Sequence, residues 1–384
     1  MSPAASSTLR VCEFYSGIGG YHIALSQIPH LSFEVAAAFE ISSNANCVYR
    51  ANFPNTTVLE TNLCGLTATR LDSIIRKSVG SDSQDEAVTS RDEVMFVMSP
   101  PCQPFTRQGI QKDDLDPRSE SVLHLFETFS QLTSLPDYFI LENVRGFETS
   151  NTRNRIMQFF TKHQYRVAEF LINSNQVGIP NSRLRYYLLA RKEPFTKAVE
   201  SALDSSQGFH KIPRLLTSIP GFEVEIPTQP LSEYLEPGLT GYDLSDKFLS
   251  KWGWVLDLVT PSSTRSCCFT KGYSVKAEGS GSVLQQLSDP SESVGQLSLD
   301  GFSGNGGNNE RSMCNSRLSK EEFLEHMKSL RLRFFSPREI ARIHGIPDSY
   351  SFPEVLSEKQ LYKLLGNGLN VSVVRLLIEK VLLE

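Results

Sequence analysis

The sequence predicts an α/β fold, with helices on both faces of a doubly wound sheet and a smaller lobe beside it. Short apolar runs alternate with helical stretches over residues 9–190, as is typical of this fold class. The alternation is lost over residues 193–335 and order returns from residue 336. The chain has 384 residues, of which 40% are hydrophobic and 21% are charged. It can therefore bury a sizeable core and is long enough for two domains of roughly 100–200 residues each.

The strands and helices are predicted from apolar runs and from helical spacing. Strands are predicted at residues 9–14, 33–39, 94–98, 138–141, 167–172 and 186–190. Helices are predicted from about residue 21 and over residues 43–52, 121–132 and 152–162. Ser336 is the predicted N-cap of a further helix with Pro337 in its first turn, and residues 357–384 are apolar and mostly helical.

The same pattern divides the chain into segments. Residues 1–192 are predicted to form the main domain, residues 193–335 a second lobe, and residues 336–384 an ordered C-terminal segment. Two polar stretches, 78–93 and 286–316, are rich in small or charged residues. Because such stretches bury too little apolar area to become ordered, both are predicted to be mobile or disordered.

Composition excludes several classes of protein. The net charge of −5 provides no overall basic field, so a nucleic-acid partner would need a local basic groove. The seven cysteines are scattered without a CxxC pair, which argues against a disulfide scaffold and a zinc ribbon, and no metal is expected. The N-terminus lacks an apolar signal core, and no stretch approaches the roughly 18 apolar residues of a membrane span. We expect no membrane partner and a location in the cytoplasm or the nucleus.

A glycine-rich turn follows the first predicted strand. Residues 14–20 read FYSGIGG and join that strand to a helix. Glycines let the backbone approach a ligand closely, and the helix N-terminus offers free N–H groups. Glu40 ends the next strand, where a carboxylate accepts hydrogen bonds from ribose hydroxyls. The pair predicts an adenosine-containing cofactor, with a purely structural turn as the alternative. Because the motif does not match GxGxxG, a dinucleotide is disfavoured.

Two chemically active side chains follow later strands. Cys102 lies in SPPCQPF, residues 99–105, where prolines stiffen the loop and fix the direction of the thiol. Because ligands bind at the carboxyl ends of parallel strands, a nucleophile is favoured over a small buried cysteine. Glu142 follows the strand predicted at 138–141. Burial there would raise the pKa of its carboxyl, which could then donate a hydrogen bond to a ring nitrogen; a capping carboxylate is the alternative.

A pair of arginines precedes the last predicted strand of the main domain. Arg183 and Arg185 alternate in NSRLR, residues 181–185, so both guanidinium groups share one face. Their planar forks suit carboxylates and phosphates. An exposed decoration of the sheet edge is the alternative.

In this order the motifs resemble the cytosine-C5 methyltransferase family. The glycine turn, PPC, ENV, RxR, a variable lobe and a C-terminal Leu-Gly-Asn helix cover most of residues 9–190 and 331–384. CFTKGY at 268–273, followed by GSGSVLQ, resembles the branch that methylates an anticodon-loop cytosine of tRNA-Asp. The resemblance implies a Rossmann-like, S-adenosylmethionine-dependent methyltransferase sheet. It also implies that residues 193–335 form a target-recognition lobe and that residues 336–384 complete the catalytic domain.

The resemblance also implies roles for single residues. Cys102 would attack C6 of the cytosine and Glu142 would hydrogen-bond N3, while Arg183 and Arg185 would position the base and favour the thiolate. The residues implied in cofactor binding are Phe14, Gly17, Ile18, Gly19, Gly20, Glu40, Asn62, Leu63, Cys64, Ser99, Asn367 and Gly368. The cations proposed to contact the substrate are Lys112, Arg118, Arg191, Lys271 and the Arg331-Leu332-Arg333 cluster.

Three positions depart from the family pattern. Asn62 stands where many members have an acid, Asn181 where many have glutamine, and Gly368 where serine is common. None of these changes removes a catalytic group. The leading hypothesis is a tRNA cytosine-C5 methyltransferase whose partners are S-adenosylmethionine, tRNA and, more weakly, DNA. A DNA cytosine-C5 methyltransferase and a catalytically silent nucleic-acid-binding scaffold are the alternatives; the small lobe offers little for reading duplex sequence, which favours tRNA.

Overall fold

The structure is a computed structural model that describes residues 8–76, 93–102, 117–206, 215–222, 226–286 and 319–384. The stretches predicted to be disordered, 78–93 and 286–316, lie outside the described residues except for positions 93 and 286. Lys112 and the side chain of Arg118, both proposed to contact the substrate, also lie outside them.

Within the described residues the main sheet has eight strands in the order β3-β2-β1-β4-β5-β7-β6-β8. The strands are β1 Leu9–Phe14, β2 Phe33–Phe39, β3 Val58–Leu59, β4 Val94–Met98, β5 Tyr138–Val144, β6 Arg166–Asn173, β7 Leu184–Arg191 and β8 Leu215–Leu216. Paired strands run parallel except β7, which is antiparallel to β5 and β6. Residues 174–183 alone connect β6 to β7, and this is shorter than the dozen or more residues of a parallel crossover.

Helices flank the sheet and build much of the second lobe. In the described ranges the α-helices are α1 Gly20–Ser26, α2 Ser43–Asn52, α3 Ala68–Arg76, α4 Pro117–Phe129, α5 Asn151–Lys162, α6 Lys197–Ser205, α7 Asp246–Trp252, α8 Lys320–Ser329, α9 Pro337–Ile343, α10 Glu358–Asn367 and α11 Val371–Leu377. The predictions at 9–14, 33–39, 43–52 and 94–98 are confirmed with the same bounds. β5 continues to Val144, so Glu142 lies inside the strand and not after it.

Because successive side chains of a strand point to opposite faces, the core residues are divided between the two faces of the main sheet. Val11 and Val97 pack on one face with residues of α1, α9, α10 and α11. Phe96 and Phe139 pack on the other face with residues of α3, α4 and α5. Helices therefore cover both faces, as the sequence predicted. Burial of each large apolar side chain contributes about 1.5–3 kcal/mol to folding.

The C-terminal segment completes the first of these faces, because α11 packs on α1. Residues Glu358–Leu382 are long and apolar enough, by length and composition, to cross a membrane. The expectation that no stretch reaches that length was therefore wrong. In the structure 56% of the apolar window is buried inside the protein, where its valines and leucines belong to the core. This burial is typical of a core helix.

The main sheet continues past residue 192, the boundary predicted from the sequence. β8 pairs with β6 through Glu169 and Leu215, and α6 lies between residue 192 and β8. The second lobe has its own three-stranded sheet in the order β11-β10-β9, formed by β9 Asp257–Val259, β10 Ser282–Gln285 and β11 Leu332–Arg333. A small core that includes Leu249, Val283 and Met327 lies beneath it.

Candidate active site

The motifs from four separate strands meet at one edge of the main sheet. β1, β4 and β5 run parallel and end there at Phe14, Met98 and Val144. β7 begins at the same edge, because its antiparallel register pairs Arg185 with Val144. The glycine turn, the Cys102 loop, Glu142 and the two arginines therefore surround one region.

Aromatic side chains pack against the glycine turn at Gly19, whereas the turn is open at Gly17. Gly17 and Gly19 have φ of 54° and 82°, which an L side chain rarely adopts. A Cβ on Gly19 would meet the Phe53 and Tyr49 rings, whereas no atom of the described residues lies within 4 Å of a Cβ placed on Gly17. The Ser16 hydroxyl is buried and has no hydrogen-bond partner in the part of the chain that the structure describes. Space and an unused polar group thus occur together in this turn.

Glu40 borders the same opening. Its Oε2 accepts a hydrogen bond from the Gly17 amide at 3.0 Å, and its Oε1 accepts one from the Ser42 amide at 2.8 Å. Each carboxylate oxygen can accept a second bond, so the acid can still bind a hydroxyl. Asn62 is exposed, and its Oδ1 accepts a hydrogen bond from the Cys64 amide at 3.0 Å.

The remaining cofactor candidates differ in what they present. The Phe14 side chain is fully buried and stacks on Phe39 at 5.1 Å, so it belongs to the core and does not face the opening. Leu63 is also a core residue. Ile18 is buried, and its carbonyl accepts a hydrogen bond from the Tyr350 hydroxyl. Ser99 follows β4, and its amide donates to the Phe14 carbonyl at 3.4 Å.

The C-terminal segment lies against the glycine turn. α10 ends at Asn367, and Gly368 is its C-cap. A Cβ on Gly20 would sit 2.9 Å from the Leu369 side chain, so that side chain packs directly against the backbone of the turn. Asn367 and Gly368 are therefore next to the turn and to the arginines.

Glu142 is a buried carboxyl beside one guanidinium. Its Oε1 lies 3.4 Å from Nε of Arg185, and its side chain is 11% exposed. Burial raises the pKa of Glu142, against the opposing influence of Arg185 and Arg183. A raised pKa keeps a larger fraction of the carboxyl protonated near neutral pH, and only the protonated form can donate a hydrogen bond.

Cys102 is half-buried next to the same groups. Burial raises the pKa of the thiol and the Glu142 charge raises it further, whereas Arg185, Lys271 and Arg183 lower it. The net direction is upward. Arg183 and Arg185 favour the thiolate, as expected, and so does Lys271, but together they do not outweigh burial and the neighbouring carboxylate.

Arg183 joins three segments of the chain and leads to a second cysteine. Its Nη1 donates to Sγ of Cys268 at 3.2 Å and to the Phe269 carbonyl at 3.3 Å. Its Nη2 donates to the Gly366 carbonyl at 3.4 Å and to the Gly368 carbonyl. Arg185 Nη2 lies 3.7 Å from the same Sγ, which confirms that the two arginines share one face.

Cys268 is the thiol that this charge environment favours as a thiolate. Burial raises its pKa, but Arg183 and Arg185 together outweigh burial, and the net pKa is lowered. The sequence contained Cys268 in its CFT motif, yet no local pattern indicated that residues 183 and 268 meet. Ser16 and Leu369 were also missed; both lie directly beside residues that the sequence did single out.

The proposed substrate cations do not all lie at this edge. Lys271 is exposed and close enough to influence Cys102. Arg191 pairs with Tyr138 at the opposite end of β5, is buried, and donates to the Leu382 carbonyl at 2.9 Å. Its assignment as a substrate contact was therefore wrong. Arg333 was also misassigned, because it forms a buried ion pair with Glu339 at 2.7 Å.

Gly366 allows α10 to contact the second lobe closely, and replacing Gly366 tests that contact. A Cβ there would overlap the backbone of Thr270 and Lys271. We expect Gly366→Ala to lower the free energy of unfolding by about 2 kcal/mol or more, because backbone must move. Any reaction at this edge should slow as well, since Arg183 loses its carbonyl partners. Denaturant unfolding and single-turnover assays measure the two effects.

Gly65→Ala is the matched control, because nothing lies within 4 Å of a Cβ at Gly65. It should change stability by no more than about 1 kcal/mol, the ordinary scale of a glycine-to-alanine change. An equal loss of unfolding free energy in both variants would mean that Gly366 is not packed tightly against Thr270 and Lys271.

The fold and the arrangement at this edge are those of the cytosine-C5 methyltransferase class. The model of the family C-5 cytosine-specific DNA methylase matches residues 9–382, and the chain belongs to this family. A tRNA (cytosine(38)-C(5))-methyltransferase of Mus musculus is 36% identical over 414 residues, covering 95% of this chain and 91% of its own length. A DNA (cytosine-5)-methyltransferase of Dictyostelium discoideum is 32% identical over 396 residues, covering 95% and 92%. The crystal structure of the S. pombe Dnmt2 methyltransferase is 30% identical with a TM-score of 0.70, covering 97% of this chain and 98% of that one.

Proposed function

We propose that this protein transfers a methyl group from S-adenosylmethionine to C5 of cytosine 38 in the anticodon loop of tRNA-Asp. The observation that carries the proposal is the meeting of Cys102, Glu142, Arg183 and Arg185 at one sheet edge beside the glycine turn. The name of the Mus musculus relative, which spans nearly the whole chain, supports the position of the base.

The residues at the glycine turn fit this cofactor. The open space at Gly17 and the unpartnered Ser16 hydroxyl provide room and a polar contact. Glu40 keeps acceptor capacity for ribose hydroxyls. Asn367 and Gly368 would close the pocket from the C-terminal side. When bound, S-adenosylmethionine supplies an electrophilic methyl group.

Cys102 supplies the nucleophile. Its thiolate forms a bond from Sγ to C6 of the cytosine, and the π electrons of the ring shift toward C4 and N3. C5 thereby becomes nucleophilic and would take the methyl group, whose bond to the cofactor sulfur breaks as the new bond forms and leaves a neutral thioether. Loss of the C5 proton to a base, return of the N3 proton to Glu142 and cleavage of the Sγ–C6 bond then restore the aromatic ring and the free thiolate. The covalent adduct divides one difficult substitution into easier steps.

Glu142 stabilises the charge that develops during the attack. Its protonated carboxyl donates to N3, so that the ring accepts a proton as the thiolate adds to C6. Its low exposure suits this role, because burial keeps the proton on the carboxyl. Arg185 contacts Glu142 and Arg183 fixes the surrounding loops, so both act as positioning residues here.

RNA is favoured over duplex DNA by the cost of base extrusion. The target base must leave its stack and enter the pocket, at a cost of a few kcal/mol that is lower in a loop than in a duplex. Lys271 offers a cation at the mouth of the site for a phosphate. The Dictyostelium discoideum relative carries a DNA methyltransferase name, so DNA is the second candidate.

Transfer of labelled methyl from S-adenosylmethionine to a tRNA-Asp transcript and to unmethylated duplex DNA tests the proposal. We expect label on tRNA, at cytosine 38, and at least tenfold less on DNA at equal site concentration. A transcript with cytosine 38 replaced by uridine is the matched control and should remain unlabelled. Faster transfer to DNA would reverse the assignment.

A further inference from the structure

The second lobe presents two tryptophans and two lysines together on its surface. This Lys–Trp surface consists of Lys247, Lys251, Trp252 and Trp254, at α7 and the turn that follows it. Trp254 is 53% exposed, and its Nε1 donates to the Lys251 carbonyl at 3.1 Å. Lys251 Nζ lies 4.7 Å from the centre of the Trp252 ring. Both indoles are therefore held in place although they are not packed in the core.

The side chains of the Lys–Trp surface lie outside the small apolar core of the lobe. Gly253, between the tryptophans, is buried, and a Cβ on it would sit 3.1 Å from the Phe323 ring. The backbone is thus anchored against α8, while the Trp254 indole points to solvent. Lys247 and Lys251 lie one helical turn apart and are exposed. Among the described residues, neither lysine has a carboxylate within ion-pair distance.

The Lys–Trp surface lies close to the active site along the chain and through hydrogen bonds. Asp257 follows Trp254 by three positions. The Asp257 carboxylate accepts from the Ser282 hydroxyl at 2.5 Å, and that hydroxyl accepts from the Cys267 amide at 2.7 Å. Cys267 is next to Cys268, which contacts both site arginines. These links limit the separation between the Cα atoms of Trp254 and Cys268 to roughly 26 Å at most.

We propose that the Lys–Trp surface binds a part of the tRNA substrate other than the target cytosine. An unpaired base stacks on Trp254, and the neighbouring phosphates contact Lys247 and Lys251. Indole rings bind any base through its π face, and lysines follow the backbone without reading sequence. Two free ammonium groups provide the charge complementarity. This inference rests on the proposed function, because it takes tRNA as the molecule bound at Cys102.

Neighbouring acidic side chains limit the path that a bound RNA can take across the lobe. Asp246 pairs with Lys328 at 3.4 Å, and Lys328 pairs with Glu325 at 3.0 Å. α8 also carries Glu321 and Glu322 in its first turn. Phosphates are repelled from that side, so the RNA leaves the surface on the Trp254 side and avoids α8.

Tryptophan fluorescence reports this surface alone, since the chain contains two tryptophans and both belong to it. In Trp252→Phe, Trp254 is the single remaining emitter. We expect a saturable change in its emission when a tRNA-Asp transcript is added, with the same midpoint as the methylation assay run on the same samples. An unchanged emission at tRNA concentrations that saturate methylation would overturn the proposal, as would a response to duplex DNA alone.

Kinetics provide the second measurement. Trp254→Ala should raise KM for tRNA about tenfold, the scale of one lost base stack, with kcat unchanged, and Trp254→Phe should restore most of the loss.

The salt dependence of tRNA binding tests the two lysines. Lys247→Ala with Lys251→Ala should reduce the slope of the logarithm of the binding constant against the logarithm of the salt concentration by about 1.5. Lys162→Ala with Lys197→Ala, two exposed lysines of α5 and α6, is the matched control and should leave the slope unchanged.

These outcomes separate the two proposals. If the wild-type chain transfers no methyl to tRNA, the proposed function fails, and the fluorescence titration still decides whether the surface binds tRNA. If methylation proceeds but Trp254→Ala keeps the wild-type KM, the surface is not a tRNA contact. A thermal unfolding curve that matches wild type confirms that Trp254→Ala remains folded.

Discussion

Replacing Cys102 with alanine is expected to abolish methyl transfer while leaving tRNA binding intact. The thiolate makes the only covalent bond of the enzyme to the ring, and without it C5 does not become nucleophilic. We expect a loss of at least about four orders of magnitude in the single-turnover rate, the scale at which loss of a nucleophile acts. Quenched-flow transfer of labelled methyl measures the rate, and filter binding measures the affinity for tRNA.

Cys47→Ala is the matched control for this change. Cys47 is a half-buried thiol on α2 and is not one of the residues placed at the site, so its loss should not alter the rate. A second test traps the adduct. In tRNA with 5-fluorocytosine at position 38, fluorine replaces the hydrogen on C5. The proton whose loss accompanies release of the thiolate is then missing, so the Sγ–C6 bond should persist through denaturing electrophoresis. A Cys102→Ala protein that still forms this complex would contradict the assignment of the nucleophile.

Glu142→Gln is expected to have the second largest effect on the rate. The amide keeps the shape and can donate one hydrogen bond, but it cannot transfer a proton to N3. Loss of a general acid costs about 10²–10⁴-fold, and we expect kcat to fall within that range with KM for tRNA unchanged. Glu148→Gln, at a buried carboxyl near the end of the same strand, should retain the wild-type kcat.

The same variant should make Cys102 more reactive. The Glu142 carboxylate raises the pKa of the Cys102 thiol, so removing the charge lowers that pKa and increases the thiolate fraction at any given pH. Alkylation of Cys102, followed by mass spectrometry between pH 6 and pH 9, should shift to lower pH in Glu142→Gln. An unchanged profile would mean that the two groups do not interact, and the coupling inferred from the structure would be wrong.

Local sequence patterns predicted the elements that are buried on both sides. β1, β2 and β4 are mostly apolar runs whose ends are marked by turn residues, and their bounds are confirmed. β8 has two residues, which is too short for any periodicity to show. β9 and β11 of the second lobe were missed for the same reason, since they have three and two residues and depend on contacts with distant segments.

The site was predictable where a motif and its strand end coincide. The arginines share one face, as their motif predicted, and Glu142 reaches the same edge although β5 continues two residues past it. Arg191 was misassigned because an eight-residue strand spans about 26 Å, so Arg185 and Arg191 face opposite edges of the sheet. The contact of Arg183 with Cys268 joins residues 85 positions apart. No local spacing encodes such a pair; only the fold brings the two side chains together.

The carbonyl partners of Arg183 have a consequence for synthesis of the protein. They lie 183 and 185 residues further along the chain. On the ribosome the sheet strands and Cys102 are made first, and the guanidinium has neither carbonyl to bind until residues 366 and 368 have emerged. Contacts over such separations also form late in folding. Nascent chains therefore carry the thiol before its surroundings are assembled, and this part of the site is complete only after α10 has been made and has packed.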